Sequence, residues 1–289
     1  MALTINNNMM AMTVARNFAT AFDQLSSSTN KLSSGMRINS AADDAAGLAV
    51  SELMRADIAA LKQGVRNAGD AQSMIQTADG ALSIIDEKLI RMKELAEQAA
   101  TGTYTSTQRG IMNNEFVTMR SEITRIATAT RFNGVQLING DLSSTTVVTS
   151  GRNSVNPMKI HFGPTNNAAE DYYFISIGSA TATGLSIEAL SIESQTGAQA
   201  ALTAITTAIV SKDTIRANLG AYSNRLSNTI SQLTIQAENL QAAESRVRDV
   251  DVAMEMTAFV TSQIKSQAAI AMLAQANMIP QMALSLIGG

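Results

Sequence analysis

AQSMIQTADGALSIIDEKLIRMKELAEQAA, residues 71–100, places apolar side chains at Met74, Ala78, Ala81, Ile85, Leu89, Met92, Ala96 and Ala99. Every gap is three or four residues, which winds one apolar stripe along an α-helix in the manner of a coiled-coil seam. The stretch from Gly102 to Thr107 breaks the pattern. A second helix then carries Ile111, Phe116, Met119, Ile123 and Ile126 on one side. Two such helices with a short break between them predict an antiparallel hairpin.

Downstream the character changes. Asn-Gly occurs at 133–134 and again at 139–140, and VVT, MKIHF and YYFISI are β-branched or aromatic runs within residues 133–187. These are hairpin signals, and the expectation is a small β patch at one end of the helices. From about Gly197 the helical pattern returns through Leu219, Tyr222, Leu226, Ile230, Leu233, Ala237, Leu240, Val247 and Val250. A last helix is expected over roughly Val252 to Ala276, with Pro280 interrupting it before a final turn, MALSLI.

The first segment, about Thr4 to Leu32, reads as one helical stripe of Ile5, Met9, Met12, Phe18, Phe22 and Leu25, its other face mostly Asn, Thr, Ser and Gln. Gly35 is placed to end that helix. Ser40 is expected to cap the next, with Asp43 and Asp44 in its first turn, where the helix dipole favours negative charge. This capping role is preferred to acid–base catalysis, because no third polar group of catalytic character lies nearby. At the other end, AIAMLAQANMIPQMALSLIGG (269–289) has no charged side chain. Weakly charged amphipathic segments thus stand at both ends and charged seams lie between them. A chain that turns at its middle brings its ends together, so that the two stripes bury each other. A 30-residue helix is about 45 Å long, and two side by side still leave a long apolar strip exposed, the mark of an interaction surface.

Composition narrows the function. Only 16% of residues are charged against 45% hydrophobic, and aromatics are 4% while Met numbers 16, a profile suited to helix–helix seams. Net charge is −3, so no nucleic-acid partner is expected. With no Cys and a single His, His161, there is no thiol chemistry, no His cluster for a metal and no basis for a Ser–His–Asp triad. No catalytic residue, metal or cofactor is expected, and the chain reads as a non-enzyme. The start, MALTINNNMMAMTVARNF, lacks a basic leader and a cleavage site, so a secreted form is expected to leave by a route that ignores such signals. Ser266 to Gly289 is long enough to span a bilayer, but Gln267, Gln275, Asn277 and Gln281 are costly there, and no membrane insertion is expected.

Several of these stretches carry a family resemblance. LSSGMRINSAADDAAGLAVSE (32–52), TRFNGVQLING (130–140), LGAYSNRLSNTI (219–230), SRVRDVDVAMEM (245–256) and AMLAQANMIPQMALSL (271–286) resemble, in order, the motifs of bacterial flagellins. The likeness covers residues 1–140 and about 185–289. Departures at Leu226, Val250 and Met254 look like packing variations, and the large variable outer domains of many flagellins are missing.

The resemblance implies a mainly α fold, a long coiled-coil-like helical rod with a small β-hairpin region and paired N- and C-terminal helices. It implies three parts: an inner-core helix and linker at 1–44, an outer-core rod at 45–250 (helices 45–130 and 197–250, β region about 133–190), and an inner-core helix at 251–289. The function implied is a structural subunit that self-assembles into the flagellar filament for motility, located in the secreted, extracellular filament. The alternative is a hook–filament junction protein, whose family carries weaker forms of the RINSAADDAAGLA motif. Inner-core packing would rest on Ile5, Met9, Met12, Phe18, Phe22, Leu25, Met256, Phe259, Ile264, Leu273, Leu284 and Leu286. Implied partners are copies of itself, the junction and cap proteins, an export chaperone at the C-terminal segment and the type III export apparatus. Host Toll-like receptor 5 would bind the monomer through Arg91, Leu95 and Glu115, matched on LIRMKELAEQ and QRGIMNNEF.

Overall fold

The computed structural model describes residues 7–143, 157–167 and 170–287. Its elements are helices α1 (Met9–Ser34), α2 (Ala45–Ala100) and α3 (Ser106–Ala129), strands β1 (Arg131–Phe132), β2 (Val135–Gln136), β3 (Met158–His161) and β4 (Tyr172–Ile175), and helices α4 (Gln195–Arg248) and α5 (Val252–Ile287). The fold is mainly α with two small antiparallel hairpins. The chain forms two compact units, Ala59–Ala237 and Met1–Ile58 with Glu238–Gly289.

In the first unit all eight positions of the 71–100 stripe are buried. They face Phe116, Ile123 and Ile126 of α3 and Ala201, Ile205, Leu219 and Leu226 of α4 in one core. Ile111, expected on the α3 stripe, is exposed, and Met112 packs against the core from that turn instead. The turn between α2 and α3 is locked at both sides. Thr105 and Gln108 form a capping box, in which the Thr105 Oγ1 accepts from the Gln108 N–H and the Gln108 Oε1 accepts from the Thr105 N–H at 2.9 Å. Arg109 donates from Nε to the Ala99 carbonyl at 2.8 Å and from its fork to the Thr101 carbonyl at 2.7 Å, satisfying acceptors that the end of α2 leaves open. The α2–α3 pair is antiparallel, as the short break predicted.

α4 runs antiparallel to α2, and ion pairs fix their register. Arg216 holds Asp79 at 2.7 Å. Lys212, only 1% exposed, reaches Asp86 at 2.5 Å and Asp213 at 2.7 Å. A buried ammonium is tolerable only when paired in this way. The β1–β2 turn is Asn133-Gly134, with φ of 48° and 82°, the left-handed pair that a two-residue hairpin requires. MKIH and YYFI pair as β3 and β4, with Met158 opposite Ile175 and His161 opposite Tyr172. VVT, at 147–149, lies outside the described residues. The β3–β4 hairpin sits against the flanks of α2 and α4. The Asn67 Nδ2 donates to the His161 carbonyl at 2.8 Å, and the Arg225 guanidinium stacks 3.4 Å from the centre of the Tyr173 ring. Gly64 permits the approach, since a Cβ there would lie 1.9 Å from the Phe162 carbonyl oxygen.

In the second unit α1 ends at Gly35, as its sequence predicted: the glycine is left-handed and its N–H bonds the Lys31 carbonyl. The following cap is displaced from the expected one. Asp44, not Ser40, caps α2, its Oδ1 accepting from the Gly47 N–H at 2.9 Å. Ser40 belongs to a tight turn centred on Asp43, whose Oδ2 accepts from the Asn39 N–H, the Ser40 N–H and the Ser40 hydroxyl. These donors hold the Asp43 carboxyl below its usual range, the Ser40 N–H contributing most.

The second correction concerns Pro280. α5 does not break there; its backbone is helical through to Ile287. A proline lacks the N–H that would bond the carbonyl four residues back, here that of Ala276. Asn8 supplies the missing donor: its Nδ2 bonds the Ala276 carbonyl at 2.8 Å, while its Oδ1 caps α1 by accepting from the Ala11 N–H at 3.0 Å.

Candidate assembly interface

α1 and α5 pack together antiparallel. The positions they turn inward recur at heptad spacing: Ala11, Val14, Phe18, Ala21, Leu25 and Ser28 on α1, and Phe259, Ser262, Ser266, Ala269, Leu273 and Ala276 on α5, all buried or half-buried. Alternating gaps of three and four keep one face toward the partner. The most buried members, Ala21, Ser28, Ser262, Ser266 and Ala276, are all small. The seam therefore brings backbones close but removes little apolar area from water. Asp251 starts α5 by accepting from the Ala253 and Met254 N–H groups at 2.9 and 3.1 Å.

Phe18, Leu25, Phe259 and Leu273 are half-buried in this seam, but most of the large apolar side chains of the two helices stand outside it. Met9 is 65% exposed, Phe22 55% and Ile264 61%, and Met12, Val252, Met254, Met256, Val260 and Ile270 are exposed as well. Of the residues that the sequence singled out, Phe18, Leu25, Phe259 and Leu273 lie in the seam, whereas Met9, Met12, Phe22, Met256 and Ile264 point away from it. Ile5 lies outside the described residues, as do the side chains of Leu284 and Leu286. Reasoning from bulky residues missed Ala11, Val14, Ala21, Ser28, Ser262, Ser266, Ala269 and Ala276. The signal that finds them is the heptad spacing of Ala and Ser in both helices. A helix pair that buries small and polar residues while exposing Met, Phe, Ile and Val is arranged to be covered on its outside. Among the described residues no helix is long and apolar enough to cross a membrane.

The two linkers beside this pair meet. Met36 bridges Asp249 antiparallel, the Arg37 N–H bonds the Arg248 carbonyl at 2.6 Å, and the Val250 N–H bonds the Gly35 carbonyl at 3.1 Å. The Arg37 guanidinium donates to the Val247 carbonyl at 2.7 Å. Arg248 also holds Glu52 at 2.8 Å and lowers the pKa of that carboxyl, with Arg55 contributing second. Thus GMRIN and SRVRDVD, far apart in sequence, form one strand-like junction.

On α2 and α3, Arg91 and Glu115 pair at 2.9 Å, and Arg91 also reaches Glu94 at 3.0 Å. Glu115, and then Glu94, raise the pKa of the guanidinium. Both members of the pair are partly open to water. Leu95 is different: it is 2% exposed and belongs to the core beneath them.

Family models for the bacterial flagellin N-terminal helical region and the bacterial flagellin C-terminal helical region match residues 5–143 and 202–287. A flagellin of Halalkalibacterium halodurans is 42% identical over 285 residues, covering 99% of this chain and 100% of that protein. A flagellar filament 33 kDa core protein of Treponema phagedenis is 39% identical over 292 residues, with coverage of 99% and 100%. Among solved structures, one assigned to the flagellar hook-associated class of Vibrio parahaemolyticus superimposes with a TM-score of 0.56 at 16% identity, over 72% of this chain and 100% of that one, a likeness of fold alone. Matched from end to end by flagellins and by both regional models, the chain belongs to the bacterial flagellin family.

Proposed function

We propose that this chain is the structural subunit that self-assembles into the helical filament of the bacterial flagellum, for swimming. One observation carries the reading: α1 and α5 hide Ala and Ser from each other's solvent and leave Met9, Phe22, Met256 and Ile264 outward. Other copies of the chain are the occupants of that face. Addition of copies in a head-to-tail manner extends a helix without closing a ring. The junction-protein reading is weaker, because full-length identity runs to filament proteins whereas the hook-associated likeness is one of fold only.

In this reading residues 1–44 and 251–289 form the inner layer of the extracellular filament and 45–250 the outer one. This division follows place in the assembly rather than the compactness that joins Met1–Ile58 to Glu238–Gly289. The chain leaves the cell through the type III export apparatus, with a chaperone on its C-terminal segment, and meets the junction and cap proteins at the growing structure. Host Toll-like receptor 5 takes the monomer on the Arg91–Glu115 surface, with Leu95 supporting that surface from within the core.

The test is seeded polymerisation. Purified monomer is added at neutral pH to sheared filament seeds and viewed by negative-stain microscopy, beside a chain lacking residues 255–289. Long filaments from the full chain and none from the truncation are expected. Full-length monomer that never elongates seeds would move the reading to the junction protein.

A further inference from the structure

Among the described residues the methionines differ in exposure with their place, Met36, Met54, Met112, Met119 and Met158 being half-buried. Met74 and Met92 lie in the core at 1% and 0% exposure. Met9, Met10 and Met12 on α1 and Met254, Met256 and Met272 on α5 are each at least 45% exposed. Met278 and Met282 follow along α5, both exposed. Among the described residues, every methionine with a strongly exposed side chain therefore belongs to the terminal helix pair. The chain has no Cys and no Trp, so thioether sulfur is its most readily oxidised group.

We propose that this exposed methionine array is a sulfoxidation site through which a peroxide-class oxidant switches off self-assembly, reversibly. The inference rests on the reading that the outward face of α1 and α5 is covered by copies of the chain. The chemistry balances simply. A methionine sulfur attacks the terminal oxygen of hydrogen peroxide, an S–O bond forms as the O–O bond breaks, and water leaves. The sulfur loses two electrons and the peroxide gains them. The product is a polar, chiral sulfoxide where a flexible apolar chain stood. Before oxidation the face presents thioethers that conform to a neighbouring apolar surface. Afterwards it presents strong acceptors, which lose their water partners when a neighbouring copy covers the face. Core positions are shielded, so the fold of the Ala59–Ala237 unit survives a dose that converts the outer face.

The experiment treats monomer with limited hydrogen peroxide, removes the reagent, and follows both peptide mass and seeded elongation. The eight exposed methionines are expected to gain oxygen before Met74 and Met92, with the circular dichroism melting of the Ala59–Ala237 unit unchanged. Elongation is expected to fall by about ten-fold or more, the factor associated with burying even one unpaired polar oxygen. Methionine sulfoxide reductases supplied with dithiothreitol are expected to restore it. A chain with all eight replaced by Leu is compared only with itself, before and after peroxide, and its rate is expected to hold. Oxidised monomer that elongates as fast as untreated monomer overturns the proposal. So does a loss that the reductases cannot reverse, which places the damage elsewhere. Untreated monomer that fails to elongate seeds is a different result: it overturns the filament reading itself.

Discussion

At the scale of single residues, Asn8 does two tasks with one amide. Its oxygen caps α1 and its nitrogen satisfies the Ala276 carbonyl that Pro280 leaves without a helical partner. The two tasks can be separated. In the natural background, Asn8→Ala is expected to remove about 1 kcal/mol for the cap and a further ~1 kcal/mol or more for the orphaned, part-buried carbonyl. In a Pro280→Ala background the helix supplies its own N–H to Ala276, so Asn8→Ala is expected to cost only the cap. Hydrogen exchange of the first turn of α1 and the last turns of α5, in a double-mutant cycle, measures the difference. Equal costs in the two backgrounds would show that Asn8 acts as a cap alone.

At the scale of elements, the β3–β4 hairpin depends on one carboxylate. The Asp171 Oδ2 accepts from the Thr165 hydroxyl and from the Asn167 N–H at 2.6 Å, which together tie the connecting loop. The Thr165 hydroxyl is the largest cause, and the Asn167 N–H the next, of a pKa held below the usual Asp range. A group depressed in the folded state lends stability above its unfolded pKa and loses it as pH falls through the folded value. Protection of the hairpin amides is therefore expected to decline as pH drops below about 4, and Asp171→Asn to start lower and stay flat through that window. Exchange measured from pH 6 down to pH 2 tests both. Elements of this kind differ in how far their sequence betrays them. The eight positions of the α2 stripe were legible, because apolar residues recur there among charged ones, although the buried face is wider and also takes in Ile75, Leu82 and Leu95. The β1–β2 hairpin announced itself through Asn133-Gly134 and the β3–β4 hairpin through its β-branched and aromatic runs, whereas the Asn-Gly at 139–140 joins no strands among the described residues. The α1–α5 seam was only half legible from bulk: Met9, Met12 and Phe22 joined a stripe with Phe18 and Leu25, yet of these only Phe18 and Leu25 lie in the seam, whose most buried members are Ala and Ser. A helix that meets its partner on one side and carries an exposed apolar strip on another does not show by bulk alone which apolar side the partner takes. Pro280 misled for another reason, since the donor that takes up the Ala276 carbonyl, Asn8, lies 268 residues before Ala276.

At the scale of the whole molecule, the two ends of the chain are tied by the Met36–Asp249 bridge, and the helices beyond it carry an apolar surface that their own pairing leaves open. Ile264 is a clean place to ask what that surface is for. Its side chain is 61% exposed and points out of the seam, between Ser262 and Ser266, which point in. Replacing it by Asp alters little in an isolated chain, because surface substitutions away from special contacts usually change stability by less than about 0.5 kcal/mol. In an assembly the same carboxylate would be taken out of water without a partner, and its charge would cost more than the lost isoleucine contact. Ile264→Leu keeps volume and polarity and serves as the companion change. Seeded elongation is expected to persist with Leu and to fall by about ten-fold or more with Asp. Thermal unfolding of the Ala59–Ala237 unit should be the same in both. If Ile264→Asp elongates seeds at the rate of the parent chain, this stretch of α5 faces water in the filament, and the covering copies must sit elsewhere on the pair. If it fails to elongate while that unit unfolds as before, the outward face of α5 is what one subunit offers the next.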